Sequence, residues 1–213
     1  LSSLPGLTAP GGEGGYTLLR DIHKSFDVEP IAETFQSLPE DLDVLLVAQP
    51  PRLSPRQEWL IDQFVLRTGR AVFLVDPAAK TVASTDMSDA ETASSLMALG
   101  EAWGVTLSED AVADAASALP VPVDTGGGRI EELAHPLFLG IPAGDMNQDD
   151  LITADLSRTV NFGAPGAFTA GDLAEGSELT PLLTTGPSPS FIDATEAVTD
   201  MTPQQVLRQY QTE

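Results

Sequence analysis

No cysteine occurs among the 213 residues. Disulfides, zinc–thiolate centres and thiol nucleophiles are therefore excluded. Basic residues are scarce: Lys and Arg total 10 against 32 Asp and Glu, only Lys24 and Lys80 are lysines, and the formal charge is −22. Such a field repels phosphate backbones and anionic lipid surfaces, so neither nucleic acid nor a charged bilayer is an expected partner. It suits equally an ordinary acidic surface and a protein kept soluble in salty surroundings, where self-repulsion is screened. Two histidines, His23 and His135, are too few for a His-rich metal centre. No apolar stretch approaches the roughly 20 residues of a membrane helix. No basic-then-apolar leader opens the chain. It begins Leu1-Ser2-Ser3-Leu4-Pro5, which reads like a strand end and predicts a fragment whose membrane anchors lie elsewhere. There is no Walker motif and no G-x-G-x-x-G, so no nucleotide or other cofactor is expected, and no G-x-S-x-G elbow promotes a serine nucleophile.

What is present is 42% apolar residues, enough for a core, with 17 prolines and 18 glycines that imply many loops. Tyr16–Ser25 reads as a short helix with Leu18, Leu19 and Ile22 on one face. Phe26–Ile31 alternates apolar and polar residues as a half-buried strand does. Asp43 leads into a continuous apolar run to Ala48 that ends at Gln49-Pro50-Pro51, and Ala71–Val75 is a second one ending at Asp76-Pro77. Between them Ser54 caps a helix with Pro55 in its first turn, Trp59 and Phe64 lie along it, and Gly69 ends it. This strand–helix–strand unit predicts two buried parallel strands joined by a crossover helix.

Ser88 and Glu91 form a capping box for a helix running to Trp103, which Gly104 ends. From Ala111 onward the periodicity weakens. Gly126-Gly127-Gly128 reads as a hairpin turn between strands. Val160–Ala170 and Leu179–Thr185 read as later strands, and Pro203 opens a terminal helix through Tyr210. Together these segments predict an α/β fold: a mostly parallel, flavodoxin-like central sheet with helices on both faces, then a more irregular β-rich second half. Residues 1–110 would form the α/β core and residues 111–213 a continuation packed on the same domain.

Ligand crevices in parallel sheets lie beyond the carboxyl ends of the strands. The candidate binding residues are therefore Gln49, Pro50, Asp76 and Pro77, where two prolines stiffen one wall and Asp76 offers a hydrogen-bond acceptor. The blander reading is that Asp76-Pro77 merely ends a strand. His135, held extended by Pro136, joins the crevice only if the second half folds back over the first. Asp149, Asp150 and Asp155 lack EF-hand spacing and read as a solvated acidic loop.

The segments Asp43–Pro50, Leu53-Ser54, Trp59–Arg67 with Gly69, Val72–Pro77, Trp103-Gly104-Val105, Ala134-His135-Pro136 and Leu182–Thr185 occur in one order across most of the chain. In that order they resemble the extracytoplasmic domain of ABC transporter auxiliary proteins of the gliding-motility type (GldG-like). The resemblance implies a domain on the periplasmic or outer face of the inner membrane, beside permease and ATPase subunits or an exported protein, with membrane contact only through anchors outside this chain. The first half also resembles the class I glutamine amidotransferase fold, in which such a strand leads to a nucleophilic cysteine on a sharp turn. Asp76 stands at that position, and a carboxylate followed by proline cannot form the thioester. The expectation is a non-catalytic binding or coupling module, with carbohydrate a possible ligand. The competing expectation is a carboxylate-dependent hydrolase, which paired carboxylates of separated pKa would favour.

Overall fold

The computed structural model describes residues 17–50, 52–79, 96–199 and 201–210. The expected strand–helix–strand unit is present. Strand β1 (Leu45–Ala48) pairs in parallel with β2 (Ala71–Leu74), Leu45 opposite Ala71 and Ala48 opposite Leu74. Helix α2 (Pro55–Thr68) crosses between them, preceded in the chain by α1 (Thr17–Ser25). The ends of α2 follow from its sequence. Ser54 and Gln57 close a reciprocal capping box, Pro55 occupies the first turn, and Gly69 takes the left-handed conformation at φ 63°. Gln57, Ile61 and Phe64 lie on the inward face. Phe64 is buried, whereas Trp59 is half-exposed and carries the Arg56 guanidinium 4.5 Å above its ring.

The inward faces of β1 and β2, the buried face of α2, and Leu96 and Leu99 form one apolar cluster. Helix α3 (Met97–Ala102) closes it, because Trp103 at its end lies 5.4 Å from the Phe73 ring and donates Nε1–H to Asp62 of α2 at 2.9 Å. The Ser88–Glu91 capping box falls outside the described residues.

The second half is antiparallel. Strand β3 (Val105–Leu107) pairs with β8 (Phe168–Ala170), and β4 (Ala111–Ala113) with β9 (Ser190–Ile192). Strands β5 (Ala118–Asp124), β6 (Ile130–Ile141) and β7 (Val160–Gly163) form a three-stranded meander. Gly126, Gly127 and Gly128 all take positive φ in the β5–β6 turn, as a hairpin of this composition requires. Helices α4 (Ala194–Ala197) and α5 (Pro203–Gln209) end the described chain, and Thr202 and Gln205 form a second capping box. Strand β4 is buried on both sides. Ala111 and Ala113 face Leu137, Ile192 and Val206, while Val112 faces Leu139, Ile141 and Met146.

This architecture corrects the predicted fold class. Among the described residues the parallel sheet has two strands, not a central set, and helices do not cover both of its faces. The amidotransferase-like arrangement is therefore not shown among the described residues. The apolar runs misled because a run of Val and Leu marks a strand, yet does not say how many others join it. Only one face of the pair is buried. Leu46, Val72 and Leu74 on the other remain substantially exposed. Phe26–Ile31 forms no strand, Leu179–Thr185 contributes only a single bridge from Leu183 to Met146, and Val160–Ala170 divides into β7 and β8. No described helix is long and apolar enough to cross a membrane.

Candidate functional site

At the carboxyl ends of β1 and β2 the chain leaves the sheet through two different devices. Gln49 takes φ 35°, a conformation that non-glycine residues rarely adopt. Its backbone N–H still donates to Leu74 O at 2.7 Å, so the ladder extends one residue beyond β1. Its side chain then grips the neighbouring strand end. The Asp76 N–H donates to Gln49 Oε1 at 2.9 Å, and Gln49 Nε2 donates to Asp76 O at 3.3 Å. One amide thus satisfies both backbone groups of Asp76, which would otherwise be unpaired where the strands diverge.

Gln49 and Asp76 are therefore brought together as the sequence suggested, with Pro50 and Pro77 following each. Pro77, Ala78 and Ala79 are buried, and Asp76 is partly so. Burial pushes the Asp76 carboxyl up to about 6, and among the described residues no side-chain hydrogen bond offsets that effect. Asp76 does not have a positive φ; Gln49 and Ala164 are the described non-glycine residues that do. The strained turn that presents a nucleophile is accordingly not built at Asp76.

The second half does fold back onto this end of the sheet, but not with His135. The loop 164–167 between β7 and β8 does so. A Cβ on Gly166 would lie 2.7 Å from Pro77 Cδ and 2.8 Å from Leu107 Cδ1, so only glycine lets the loop seat against Pro77. The loop is tied down on both sides. Val112 N–H donates to Pro165 O at 2.7 Å, Ala164 N–H to Leu137 O at 2.7 Å, and Ala167 N–H to Ser108 Oγ at 2.9 Å.

His135 is buried elsewhere and fully engaged. Leu137 N–H donates to its Nδ1 at 3.3 Å, which leaves the proton on Nε2 to donate to Met201 O at 2.8 Å. Its ring meets Phe138 edge-on at 5.0 Å. The reason for this placement is a bulge. Ala118 opposes Leu139 but the next residue, Leu119, opposes His135, so residues 136–138 bow away from β5, while Phe138 still pairs with Gly163 of β7. Proline at 136 is tolerated there because the bulge asks for no ladder N–H. His135 fastens that bulge to the segment leading into α5.

Sequence reasoning missed Asp114. It is buried, and its carboxylate accepts from Ala116 N–H at 2.8 Å, Ser117 Oγ–H at 2.7 Å and Gly186 N–H at 2.8 Å. Burial alone would raise its pKa, but these hydrogen bonds win and hold it below the usual range. The local signal was an Asp followed by small residues and Ser117, the pattern of a side chain that closes its own turn. Its long-range partner Gly186 was not signalled. Asp193 caps α4 through Thr195 and Glu196 and is likewise held low, chiefly by the Thr195 hydroxyl.

Chemically, the strand-end arrangement offers one partly buried carboxyl that takes up a proton near neutrality, beside an amide already occupied. Asp114 and Asp193 are both engaged by hydrogen bonds from backbone N–H groups and hydroxyls. Among the described residues no group of three or more His, Asp or Glu side chains is placed to hold a metal ion. No curated protein and no solved structure matches the chain. A family described as an ABC-type uncharacterized transport system does, over residues 2–213, nearly the whole length. The chain therefore belongs to that family, as an auxiliary component of an ABC-type transport system.

Proposed function

We propose that this chain is a non-catalytic binding and coupling domain that works on the extracytoplasmic side of its transport system, in the manner of the gliding-motility-type proteins it resembles. Its partners would be the permease and ATPase assembly or an exported protein, with a carbohydrate as a further candidate ligand. The observation that carries the reading is the strand-end geometry. Gln49 is used to lock Asp76's peptide, and no described second carboxylate of opposite shift is shown to face Asp76. A glycosidase-type site ordinarily uses two such groups. The acidity of the chain is compatible with a saline compartment, and the location itself comes from the resemblance.

One observation favours the hydrolase reading instead: a carboxyl raised to about 6 is poised for proton transfer. The two readings separate in one assay. Purified protein is offered glutamine, ATP and a panel of aryl glycosides. No turnover above buffer is expected. A turnover that Asp76→Asn removes without unfolding the protein would transfer the site to the enzyme reading.

A further inference from the structure

Basic residues are few in this chain and unevenly spread. Residues 52–70 hold four of the ten, Arg52, Arg56, Arg67 and Arg70, in a protein of charge −22. Two of them sit on α2. Arg56, Trp59, Gln63, Leu66 and Arg67 are all exposed and recur at helical spacing, so they form one outward stripe turned away from Gln57, Ile61 and Phe64. The stripe contains no acid. Arg52 and Arg70 are exposed in the residues flanking the helix.

The fold does not use these charges. Arg56 lies in the first turn of α2, where a cation opposes the helix dipole. Three and four positions on from it stand Trp59 and Leu60, so it has no acid at ion-pair spacing. Arg67 has Phe64 and Gln63 at the same spacings behind it. Asp62, one of the two acids on the helix, is occupied by the Trp103 and Gln63 side chains, at 2.9 and 3.0 Å. Among the described residues none of the four arginines forms an ion pair, in a chain with acids to spare. Arg56 is nonetheless held 4.5 Å over the Trp59 ring, and Arg67 lies 5.8 Å from the Phe64 ring. Such contacts steady a guanidinium without supplying an acceptor for its N–H fork.

The complement of this stripe is a segment that carries carboxylates around an apolar centre. Arg56 and Arg67 are eleven positions apart, hence about 17 Å along the helix axis. Each can take a carboxylate bidentately, and between them Trp59, 49% exposed, and Leu66, 70% exposed, offer apolar surface. A membrane plane or a nucleic acid fits less well, because it faces the whole molecule and meets its net charge of −22. A second copy brings another body of the same charge. A single segment of a partner lies within a Debye length, roughly 8 Å, of the stripe alone.

We propose that the outward stripe of α2 docks an acidic segment of a partner protein, whose carboxylates pair with Arg56 and Arg67 while its apolar residues cover Trp59 and Leu66. This rests on the reading of the chain as a binding domain, not on the side of the membrane where it works. The test places a photo-crosslinking residue at Gln63, in the middle of the stripe, in the full-length protein expressed in its own cells. Crosslinked peptides are then sequenced. The expected product joins this position to an acidic segment of a different protein. Its yield should fall by roughly tenfold or more with Arg56→Gln/Arg67→Gln, and also with Trp59→Ala. Arg56→Lys/Arg67→Lys should restore part of the yield, since the charge remains but the bidentate fork is lost. Circular dichroism of the glutamine variant should match wild type, because both replaced side chains face solvent. A product whose yield ignores the arginines, a product within the chain or with a second copy, or a crosslink to phospholipid would each overturn the proposal. So would the absence of any product. With no turnover in the substrate panel above, that outcome leaves the binding reading standing, whereas turnover there defeats it.

Discussion

Single residues at the strand ends carry opposite kinds of information. Asp76 is partly buried with its carboxyl raised to about 6, from an ordinary 3.8. Above pH 6 the carboxyl is ionised in both folded and unfolded chains, and folding must desolvate the charge. Between pH 6 and 3.8 the folded protein binds more protons than the unfolded one, so stability increases as pH falls through that window. Asp76→Asn should remove this dependence and stabilise the protein at pH 7 by on the order of 2 to 3 kcal/mol. Urea unfolding of both proteins at pH 4, 5, 6 and 7 measures it; equal midpoints at pH 7 would refute the assignment. Asp114 runs the other way. Its pKa is depressed, so its contribution is present above the unfolded value and is lost as pH falls through the folded one. Gln49 and Asp76 were legible in the sequence as residues that end adjacent strands. That Gln49 would answer both backbone groups of Asp76 was not, because the match depends on the register of the pair. His135 was visible only as a residue before proline. Its partner Met201 lies 66 positions away, beyond any local pattern.

Elements whose signals are local formed as expected. Helix α2 begins at a serine cap and ends at a left-handed glycine, both chosen by neighbouring backbone groups. The Gly126–Gly128 turn and the Pro203 helix start are of the same kind. Phe26–Ile31 alternates like a strand yet forms none, because alternation needs a partner edge to become a strand. Gly104 shows what sequence alone under-reports. It ends α3 at φ 79°, and a Cβ there would lie 2.5 Å from Asp172 O in the segment following β8. Gly104→Ala should therefore cost about 2 to 4 kcal/mol, from strain and displaced backbone together. Gly127 has φ 67° but open space around it, so Gly127→Ala should cost only about 1 to 2 kcal/mol. Denaturation midpoints of the two variants compare strain with and without the clash. Equal losses would show that the Asp172 approach is unimportant.

For the molecule as a whole, charge dominates. Among the described residues the ion pairs Lys24–Asp21 and Arg129–Glu131 are both exposed, and they offset little of a net −22. Screening should relieve more repulsion than it removes attraction. The melting temperature should rise by about 5 °C or more between roughly 0.05 and 1 M KCl, and an uncharged osmolyte at equal osmolarity should not reproduce the salt increment. A flat or falling response would mean that the carboxylates are dispersed enough not to oppose folding. Composition and local order alone determined the absence of thiol and phosphate-loop chemistry, the acidity, the two apolar segments that become β1 and β2, the bounds of α2 and the family resemblance, because each depends on residue type or on neighbours within a few turns. The tertiary structure alone decided that the parallel sheet has two described strands, that a Gly166 loop seats on Pro77, that His135 fastens a bulge, and that Arg56, Trp59 and Arg67 face outward. Each of these depends on which distant segments share a sheet edge or a core, and that choice is made by packing and backbone hydrogen bonding between segments whose separate sequences do not specify one another.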